Sequence, residues 1–244
     1  MGQGHPAGRH QGAVKSVRVL SGGAAQGLVE VLRPSFEAKT GWRIDGVFGA
    51  VGAMTARLLA GEPADVMILS RALIDGLARD GQVVAESARD IGAVQTAIAV
   101  RAGDRLPAVG SVADLRAALL GADEIHLPDP EQATAGIHFA KVMKELGVWH
   151  EVADRLKPAP NGATAMRALA ASAGRRPTGC TQATEILSTP GIVLVAALPP
   201  DYELSTTYTC AVTARARAST GAAELIATLT SDAGSESRRR LGFV

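Results

Sequence analysis

The sequence has few aromatic residues, few cysteines and no long apolar run. Aromatic residues make up 3% of its 244 residues, so the core must be built from Ala, Val, Leu and Ile. No stretch reaches the roughly 18 apolar residues that a membrane-spanning helix needs. Cys180 and Cys210 lie about 30 residues apart, a spacing that fits neither a zinc site nor a redox CxxC motif. We expect them to be two buried thiols that pack as small hydrophobic residues.

The charge of the chain is nearly balanced, with a formal net charge of +1. A nucleic-acid-binding protein usually shows a basic stripe, whereas the one dense basic run here is Arg238 to Arg240. That run ends a predicted terminal helix, where positive charge compensates the helix dipole. His126 and Asp129 flank Pro128, but two such residues without ligand spacing do not predict a metal site. We therefore expect no nucleic-acid partner, no metal and no cofactor.

The amino-terminal segment from Met1 to Lys15 is polar and rich in glycine. It contains neither the apolar region nor the small-residue cleavage site of a secretory signal. We interpret residues 1–15 as a disordered leader. As written, the chain is expected in the cytoplasm, and in the periplasm if its precursor carries a signal.

Short apolar runs alternate with helical patterns along most of the chain. Val17 to Leu20 predicts a strand, and Ala24 to Lys39 predicts a helix with one apolar face that ends at Gly41. The continuous apolar run from Asp65 to Leu69 is typical of a parallel strand that is covered on both faces. Strands that alternate with helices predict an α/β fold.

The apolar stretch from Asp90 to Arg101 is long enough to cross from one lobe into another. Leu204 to Thr213 is the candidate return strand. These two crossings predict lobe I over residues 16–95 and 205–244, and lobe II over residues 96–204. We expect the two connecting strands to act as a hinge.

Turns that lead into helices are the candidate ligand contacts. In open α/β sheets, ligands bind beyond the carboxyl ends of strands, where helix N-termini offer unpaired N–H groups to anions. Four turns fit this description: Ser21-Gly22-Gly23, Ala50-Val51-Gly52, Thr134-Ala135-Gly136 and Asn161-Gly162-Ala163. Thr181 and Gln182 follow another strand and join this candidate set.

Six segments in order carry a resemblance to a known family: Val17 to Gly23, Gly61 to Leu69, Asp129 to Gly136, Leu146 to Trp149, Gly179 to Glu185 and Leu241 to Phe243. Together they resemble the periplasmic molybdate-binding proteins and their relatives among type II substrate-binding proteins of ABC transporters. The resemblance runs from Val17 to Phe243. It implies a two-lobed, periplasmic-binding-protein-like fold that closes over a small anion.

The departures from the family pattern bear on the ligand. Ser21 stands where the family has a serine that touches the oxyanion, but a second serine is missing from Ala50-Val51-Gly52, and Gln182 replaces an expected tyrosine. Lost hydroxyl donors disfavour a compact molybdate, because each of its oxygens needs donors. Ser70 and Arg71 stand where the family often has an acidic residue, and an arginine can grip a carboxylate with two parallel bonds. We therefore expect an organic carboxylate.

Two residues are candidates for proton transfer. His138 lies in the first turns of a predicted helix, where it is either a proton shuttle or a structurally bonded histidine. Glu131 precedes the same helix, where it is either a general base or a partner of the helix dipole. The residues alone leave both alternatives open.

The first functional hypothesis is a monomeric solute-binding protein, with an ABC permease as partner if the chain is exported. The second is an isomerase of a small di- or tricarboxylate, since aconitate isomerases are similar to molybdate-binding proteins. A ligand-sensing domain of a regulator is a third hypothesis, although the chain has no helix-turn-helix segment. Turnover distinguishes the first two hypotheses, because a binder leaves trans-aconitate unchanged.

Overall fold

The computed structural model describes residues 15–244. Residues 1–14 of the predicted leader lie outside the described part. The strands are β1 (Ser16–Gly22), β2 (Arg43–Gly49), β3 (Val66–Ser70), β4 (Arg89–Arg101), β5 (Glu124–Pro128), β6 (Leu156–Ala159), β7 (Pro177–Gln182), β8 (Ile192–Ala197) and β9 (Ser205–Val212). The helices are α1 (Gln26–Thr40), α2 (Val51–Leu59), α3 (Arg71–Arg79), α4 (Val112–Gly121), α5 (Thr134–Glu145), α6 (Trp149–Val152), α7 (Gly162–Ala170), α8 (Ala183–Leu187), α9 (Ser219–Thr230) and α10 (Ser235–Arg240). The α/β prediction is confirmed.

The strands form one curled sheet in the order β2-β1-β3-β9-β4-β7-β5-β6, with β8 paired to β4. Strands β1, β2 and β3 are parallel to one another, and β5 is parallel to both β6 and β7. Strand β9 runs antiparallel to β3 and β4. The carboxyl ends of the parallel strands in each group therefore reach one edge, where the helices that follow them begin.

Strand β4 changes partners along its length. Its residues from Arg89 to Gln95 pair with β9, whereas those from Thr96 onward pair with β7 and β8. This change falls at the boundary predicted between lobe I and lobe II, and β9 returns where the second crossing was expected. The exact division of the chain stays a prediction, and the names lobe I and lobe II are used below for the two groups of strands and their helices.

Local sequence signals explain several element ends. Gly41 adopts a left-handed conformation with φ 73° and closes α1, as expected for a glycine C-cap. The side chains of Ser111 and Asn161 accept bonds from the backbone N–H groups of Asp114 and Thr164, and so cap α4 and α7. Strand β3 is buried from Val66 to Leu69, as expected for a strand covered on both faces.

Three of the predicted turns run into the first residues of helices, at Val51, Thr134 and Gly162. Helix α2 begins at Val51 and α5 begins at Thr134, so Gly52 and Gly136 have ordinary helical backbones. Their missing side chains serve close packing. A Cβ atom at Gly136 would collide with the carbonyl oxygens that precede α5, and one at Gly52 would press against the backbone of Gln132.

Each lobe has an apolar core of mainly aliphatic side chains, as the composition predicts. Leu28, Phe36 and Met67 are fully buried in the core of lobe I, and Leu115 and Phe139 in that of lobe II. Cys180 and Cys210 are free, buried thiols, which confirms their predicted state. Over residues 15–244, no helix is both long and apolar enough to cross a membrane.

The buried carboxylate of Asp65 ties three segments of lobe I together at the start of β3. It accepts hydrogen bonds from the backbone N–H groups of Arg18, Arg217 and Ala218, at 2.8, 2.7 and 2.9 Å. Strand β1, strand β3 and the segment before α9 are thereby held in register. Hydrogen bonds to a charged acceptor are among the stronger ones in proteins.

We predict that Asp65→Ala lowers the free energy of unfolding by about 3 kcal/mol or more, because three backbone donors lose their buried acceptor. Urea denaturation measures the loss. The matched control is Asp45→Ala, since Asp45 is exposed on β2, and a change within about 0.5 kcal/mol is expected there. Equal stability of the two variants would contradict this role for Asp65.

Candidate functional site

A narrow cleft lies between the carboxyl ends of β1 and β2 in lobe I and the first turns of α5 and α7 in lobe II. Its enclosed space is about 20 Å³, enough for roughly one water-sized sphere. The cleft is thus nearly closed. Its lining residues are Gly23, Ala24, Gly49, Ala50, Val51, Pro128, Ala133, Thr134, Ala135, Asn161, Gly162, Thr181, Gln182, Glu185 and Tyr208.

Three helices begin at this cleft: α2 at Val51, α5 at Thr134 and α7 at Gly162. The first N–H groups of a helix have no partner within the helix, and they carry the positive end of its dipole. None of the described lining residues is Lys, Arg or His. An anion in this cleft would therefore be held by backbone and neutral side-chain donors.

A direct backbone contact joins the two sides of the cleft. The N–H of Gly52 on α2 donates to the carbonyl oxygen of Gln132 in lobe II at 3.1 Å. The loop of Gln132 is in turn fixed by Asp129, whose Oδ1 accepts the N–H groups of Glu131 at 2.7 Å and Gln132 at 3.0 Å. The cleft is thus closed at a defined position by backbone groups.

Glu185 places a buried carboxyl against the cleft. The hydroxyl of Thr181 donates to its Oε2 at 2.5 Å. Burial raises the pKa of Glu185 above its usual range, and this outweighs the lowering by bonds from Thr181 and from the backbone N–H groups of Gln182, Ala163 and Gly162. The neutral acid is therefore favoured over a wider pH range than for a glutamate in water.

Tyr208 reaches the cleft from β9, where it lies between its partners Ser70 on β3 and Gly92 on β4. It is buried, and burial together with the nearby Glu185 raises its pKa well above the usual range. The nearby side chains of Thr134 and Gln182 lower that pKa by a smaller amount. Its phenol therefore stays protonated and serves as a hydrogen-bond donor.

Gln182 carries a side-chain amide that is not satisfied by the described protein atoms. The residue is 2% exposed, and neither its Nε2 nor its Oε1 makes a well-formed hydrogen bond within residues 15–244, although the amide lies near enough to the Tyr208 phenol to lower the pKa of that phenol. Buried polar groups are nearly always hydrogen-bonded, because an unpaired one costs about 1–3 kcal/mol. An unsatisfied donor and acceptor at the cleft indicate a place for a polar ligand.

The structure brings together most of the predicted ligand contacts. Lining the cleft are Gly23, Ala50, Val51, Thr134, Ala135, Asn161, Gly162, Thr181 and Gln182. Outside the lining are Ser21, Gly22, Gly52, Ser70, Arg71 and Gly136. For both groups of residues, contact with a ligand stays a prediction.

Two of the outlying residues have other partners. The Ser21 hydroxyl donates to the carbonyl oxygen of Gly22 at 2.8 Å. Arg71 pairs with Asp90, to which its Nε donates at 3.0 Å. Burial raises the pKa of Asp90, but the bonds from Arg71 and Thr209 outweigh it, so that the pKa is lowered. Arg71 thus neutralises an acid beside β9, which occupies the guanidinium that was expected to hold a carboxylate.

The two predicted proton-transfer candidates also lie outside the cleft lining. Glu131 is exposed, and its backbone N–H is part of the loop that Asp129 fixes. The Nε2 of His138 lies 2.7 Å from the carbonyl oxygen of Tyr202. This contact matches the alternative of a structurally bonded histidine.

Glu185 and Tyr208 line the cleft, and the sequence alone did not predict them there. Glu185 closes the segment from Gly179 that resembles the family, and an acid three residues beyond Gln182 on a short helix was the available signal. Tyr208 is one of only two tyrosines in the chain, within a strand interpreted only as the return crossing. Both positions lie far along the chain from the turns after β1 and β2 that line the lobe I side of the cleft.

The described part of the chain offers no candidate metal centre. Among residues 15–244, no group of three or more His, Cys, Asp or Glu side chains could hold a metal ion. His126 is buried, with its Nε2 3.0 Å from a carboxylate oxygen of Glu124.

Comparisons with known proteins agree with this architecture. The chain is 27% identical over 213 residues to an aconitate isomerase of a Pseudomonas species, which covers 84% of this chain and 78% of that protein. The periplasmic molybdate-binding protein of Azotobacter vinelandii superposes with a TM-score of 0.77 at 17% identity, over 93% of this chain and 98% of that chain. The sulfate-binding protein of Mycobacterium tuberculosis gives 0.71 at 18% identity, over 94% and 86%.

These similarities confirm the resemblance found in the sequence and the two-lobed type II fold. The family model described as bacterial extracellular solute-binding protein matches residues 17–244. The chain therefore belongs to the bacterial extracellular solute-binding protein family.

Proposed function

We propose that this protein binds a small anion, preferably an organic carboxylate, in the cleft between its lobes. The observation that carries the proposal is the buried amide of Gln182 at the cleft, whose donor Nε2 and acceptor Oε1 both lack a well-formed hydrogen bond among the described residues. A carboxylate accepts from Nε2, and a hydroxyl or a protonated carboxyl of the same ligand donates to Oε1.

The convergence of helix N-termini supports a negatively charged ligand. Helices α2 and α5 direct their first turns at the cleft from opposite lobes, so an anion between them would touch both. Related proteins have names that refer to molybdate, sulfate and aconitate, all of them anions.

The donors at the cleft favour a carboxylate over a tetrahedral oxyanion. The hydroxyl of Thr181 is already engaged, because it donates to Glu185. The side-chain Oδ1 of Asn161 caps α7 as an acceptor, which leaves the Nδ2 of this amide as a donor. The side-chain donors that remain in the lining are those of Asn161, Thr134, Tyr208 and Gln182. A compact tetrahedral oxyanion needs donors on every side of one centre, whereas each carboxylate group presents two oxygens in one plane.

Closure of the two lobes would complete the site. The bond between Gly52 and Gln132 is made only when the sides of the cleft meet, and an anion held by both lobes would stabilise that closed state. The strands β4 and β9 are the proposed hinge. We propose that the protein is a monomer, and that its partner is an ABC permease if it is exported.

A second candidate function is isomerisation of a small di- or tricarboxylate. The Glu185 carboxyl beside the cleft favours it, as does the aconitate isomerase relative. For this function Glu185 would have to be ionised beside the bound substrate, so this role excludes a Glu185 that stays protonated whenever an anion is bound. The ionised group would take a proton from a carbon next to a carboxylate and return it to the far carbon of the double bond, so that the double bond moves without a net change in atoms. Tyr208 would donate to the enolate-like oxygen meanwhile.

A thermal-shift screen with molybdate, tungstate, sulfate, phosphate and a panel of di- and tricarboxylates tests the proposal. A ligand at about 100 times its dissociation constant adds about 2.7 kcal/mol of stability. We expect the largest shift from a carboxylate, with its NMR spectrum unchanged after overnight incubation. A larger shift from molybdate would contradict the carboxylate preference, and conversion of the carboxylate to its isomer would establish the second function.

Replacement of Gln182 separates ligand recognition from folding. We predict that Gln182→Leu weakens the carboxylate found in the screen about 10- to 100-fold, while the ligand-free protein becomes no less stable, because two unsatisfied buried atoms are removed. Calorimetric titration and urea denaturation measure the two effects. Gln82→Leu, a change of the same kind outside the cleft, should leave affinity unchanged; equal affinities in both variants would remove Gln182 from the site.

A further inference from the structure

The Glu185 carboxyl occupies an unusual place for a site that receives an anion. Among the described lining residues it is the one carboxyl, and Tyr208 is the one other titratable group. Glu185 is 7% exposed and forms no ion pair with any Lys, Arg or His in residues 15–244. A charge on this group would therefore be buried without a counter-charge.

The carboxyl is built into the contact between the lobes. A Cβ atom on Gly23 in lobe I would collide with its Oε1, and one on Gly162 at the start of α7 would collide with its Oε2. Both positions must therefore lack a side chain for Glu185 to fit. The group is inserted between the Gly23–Ala25 turn and α7, and it is not a side chain that can swing into solvent while the cleft is closed.

Glu185 takes the donors that an anion would use at α7. The Thr181 hydroxyl donates to this carboxyl. The pKa of the carboxyl is also lowered by the nearby backbone N–H groups of Gly162, Ala163 and Gln182. At one of the three helix N-termini, an internal acid thus holds the place of an external anion. A ligand is left with the donors of α2, α5, Tyr208 and Gln182.

The groups that face Glu185 do not neutralise it. Helix α7 presents Gly162 and Ala163, β7 presents Thr181 and Gln182, and β9 presents the Tyr208 phenol. Burial of Glu185 raises its pKa, and no charged side chain is among the causes that act on it. An anion in the closed cleft would face a second negative charge in a poorly hydrated space whenever Glu185 is ionised.

We propose that Glu185 carries a proton whenever an anion occupies the closed cleft, so that binding is coupled to the uptake of one proton and Glu185 determines which charge state of a ligand is accepted. This inference rests on the proposed anion-binding function. The proton comes from solvent, or from the ligand when the ligand arrives protonated. A neutral Glu185 also acts as a donor toward a carboxylate, which its ionised form cannot do.

The coupling has a defined sign and size. Between the titration midpoint of Glu185 in the ligand-free protein and its higher midpoint in the complex, affinity for an anion of constant charge falls about tenfold per pH unit, and below the first midpoint it stays constant. Glu185→Gln mimics the neutral acid in shape and in its donor, so its affinity should not vary with pH. Glu236→Gln is the matched control, because Glu236 is exposed on α10, and its pH dependence should equal that of the unchanged protein.

The first experiment is a carboxyl ¹³C NMR titration of the full chain without ligand, with the Glu185→Gln variant used to assign the signal. We expect a midpoint above those of the exposed glutamates. A midpoint equal to or below theirs would overturn the proposal whether or not any anion binds. The result does not depend on the variant being functional.

The second experiment repeats the titration with saturating trans-aconitate and separately with sulfate. It measures the affinity of sulfate, whose charge is constant, from about pH 6 to about pH 9, and that of trans-aconitate from about pH 7.5 upward, where its last carboxyl group is ionised as well. We expect the Glu185 midpoint to rise with bound anion. Binding that leaves the midpoint and the affinity unaffected by pH would overturn the proton coupling but keep the anion-binding function. Absence of binding at every pH, with a high ligand-free midpoint, would overturn the anion-binding function itself and the coupling with it.

Discussion

The insertion of the buried Glu185 carboxyl between the two lobes is the contact on which the rest of this cleft depends. The Thr181 hydroxyl at the end of β7 donates to the carboxyl, which fits closely against Gly162 at the start of α7 and against Gly23 of lobe I. The absence of side chains at Gly23 and Gly162 follows from this one insertion. The cleft proposed to bind an anion thus contains an acid of its own, and in the proposed coupling the charge of that acid determines how well the two lobes can close on a ligand.

Local signals in the sequence were sufficient for most of the fold. The apolar run of β3, the glycine that ends α1 and the capping side chains of Ser111 and Asn161 each act within a few residues, so a pattern read along the chain can find them. The resemblance to a family then supplied the arrangement of the lobes. Local patterns did not reveal the packing role of Gly52 and Gly136, where backbone from elsewhere in the chain leaves little or no room for a side chain.

The site was harder to predict because its polar residues depend on partners far along the chain. Arg71 looked free at the end of β3, but it pairs with Asp90 on another strand. Tyr208 is 2% exposed, and it enters the cleft only because β9 is inserted between β3 and β4. Gln182 was noted as a departure from the family, but its significance depends on the amide remaining unpaired after folding, which no sequence pattern reveals.

Binding and isomerisation would use the same cleft, the same helix N-termini and the same change in lobe position, so the central claim is that a small anion holds the lobes together. Electron–electron double resonance between spin labels at Leu59→Cys on α2 and Ile137→Cys on α5 measures this most directly, since both side chains are exposed and the native cysteines are buried. The account predicts that trans-aconitate or sulfate enriches the shorter of two label distances and narrows the distribution. A distribution unchanged by an anion that demonstrably binds would contradict closure around the ligand.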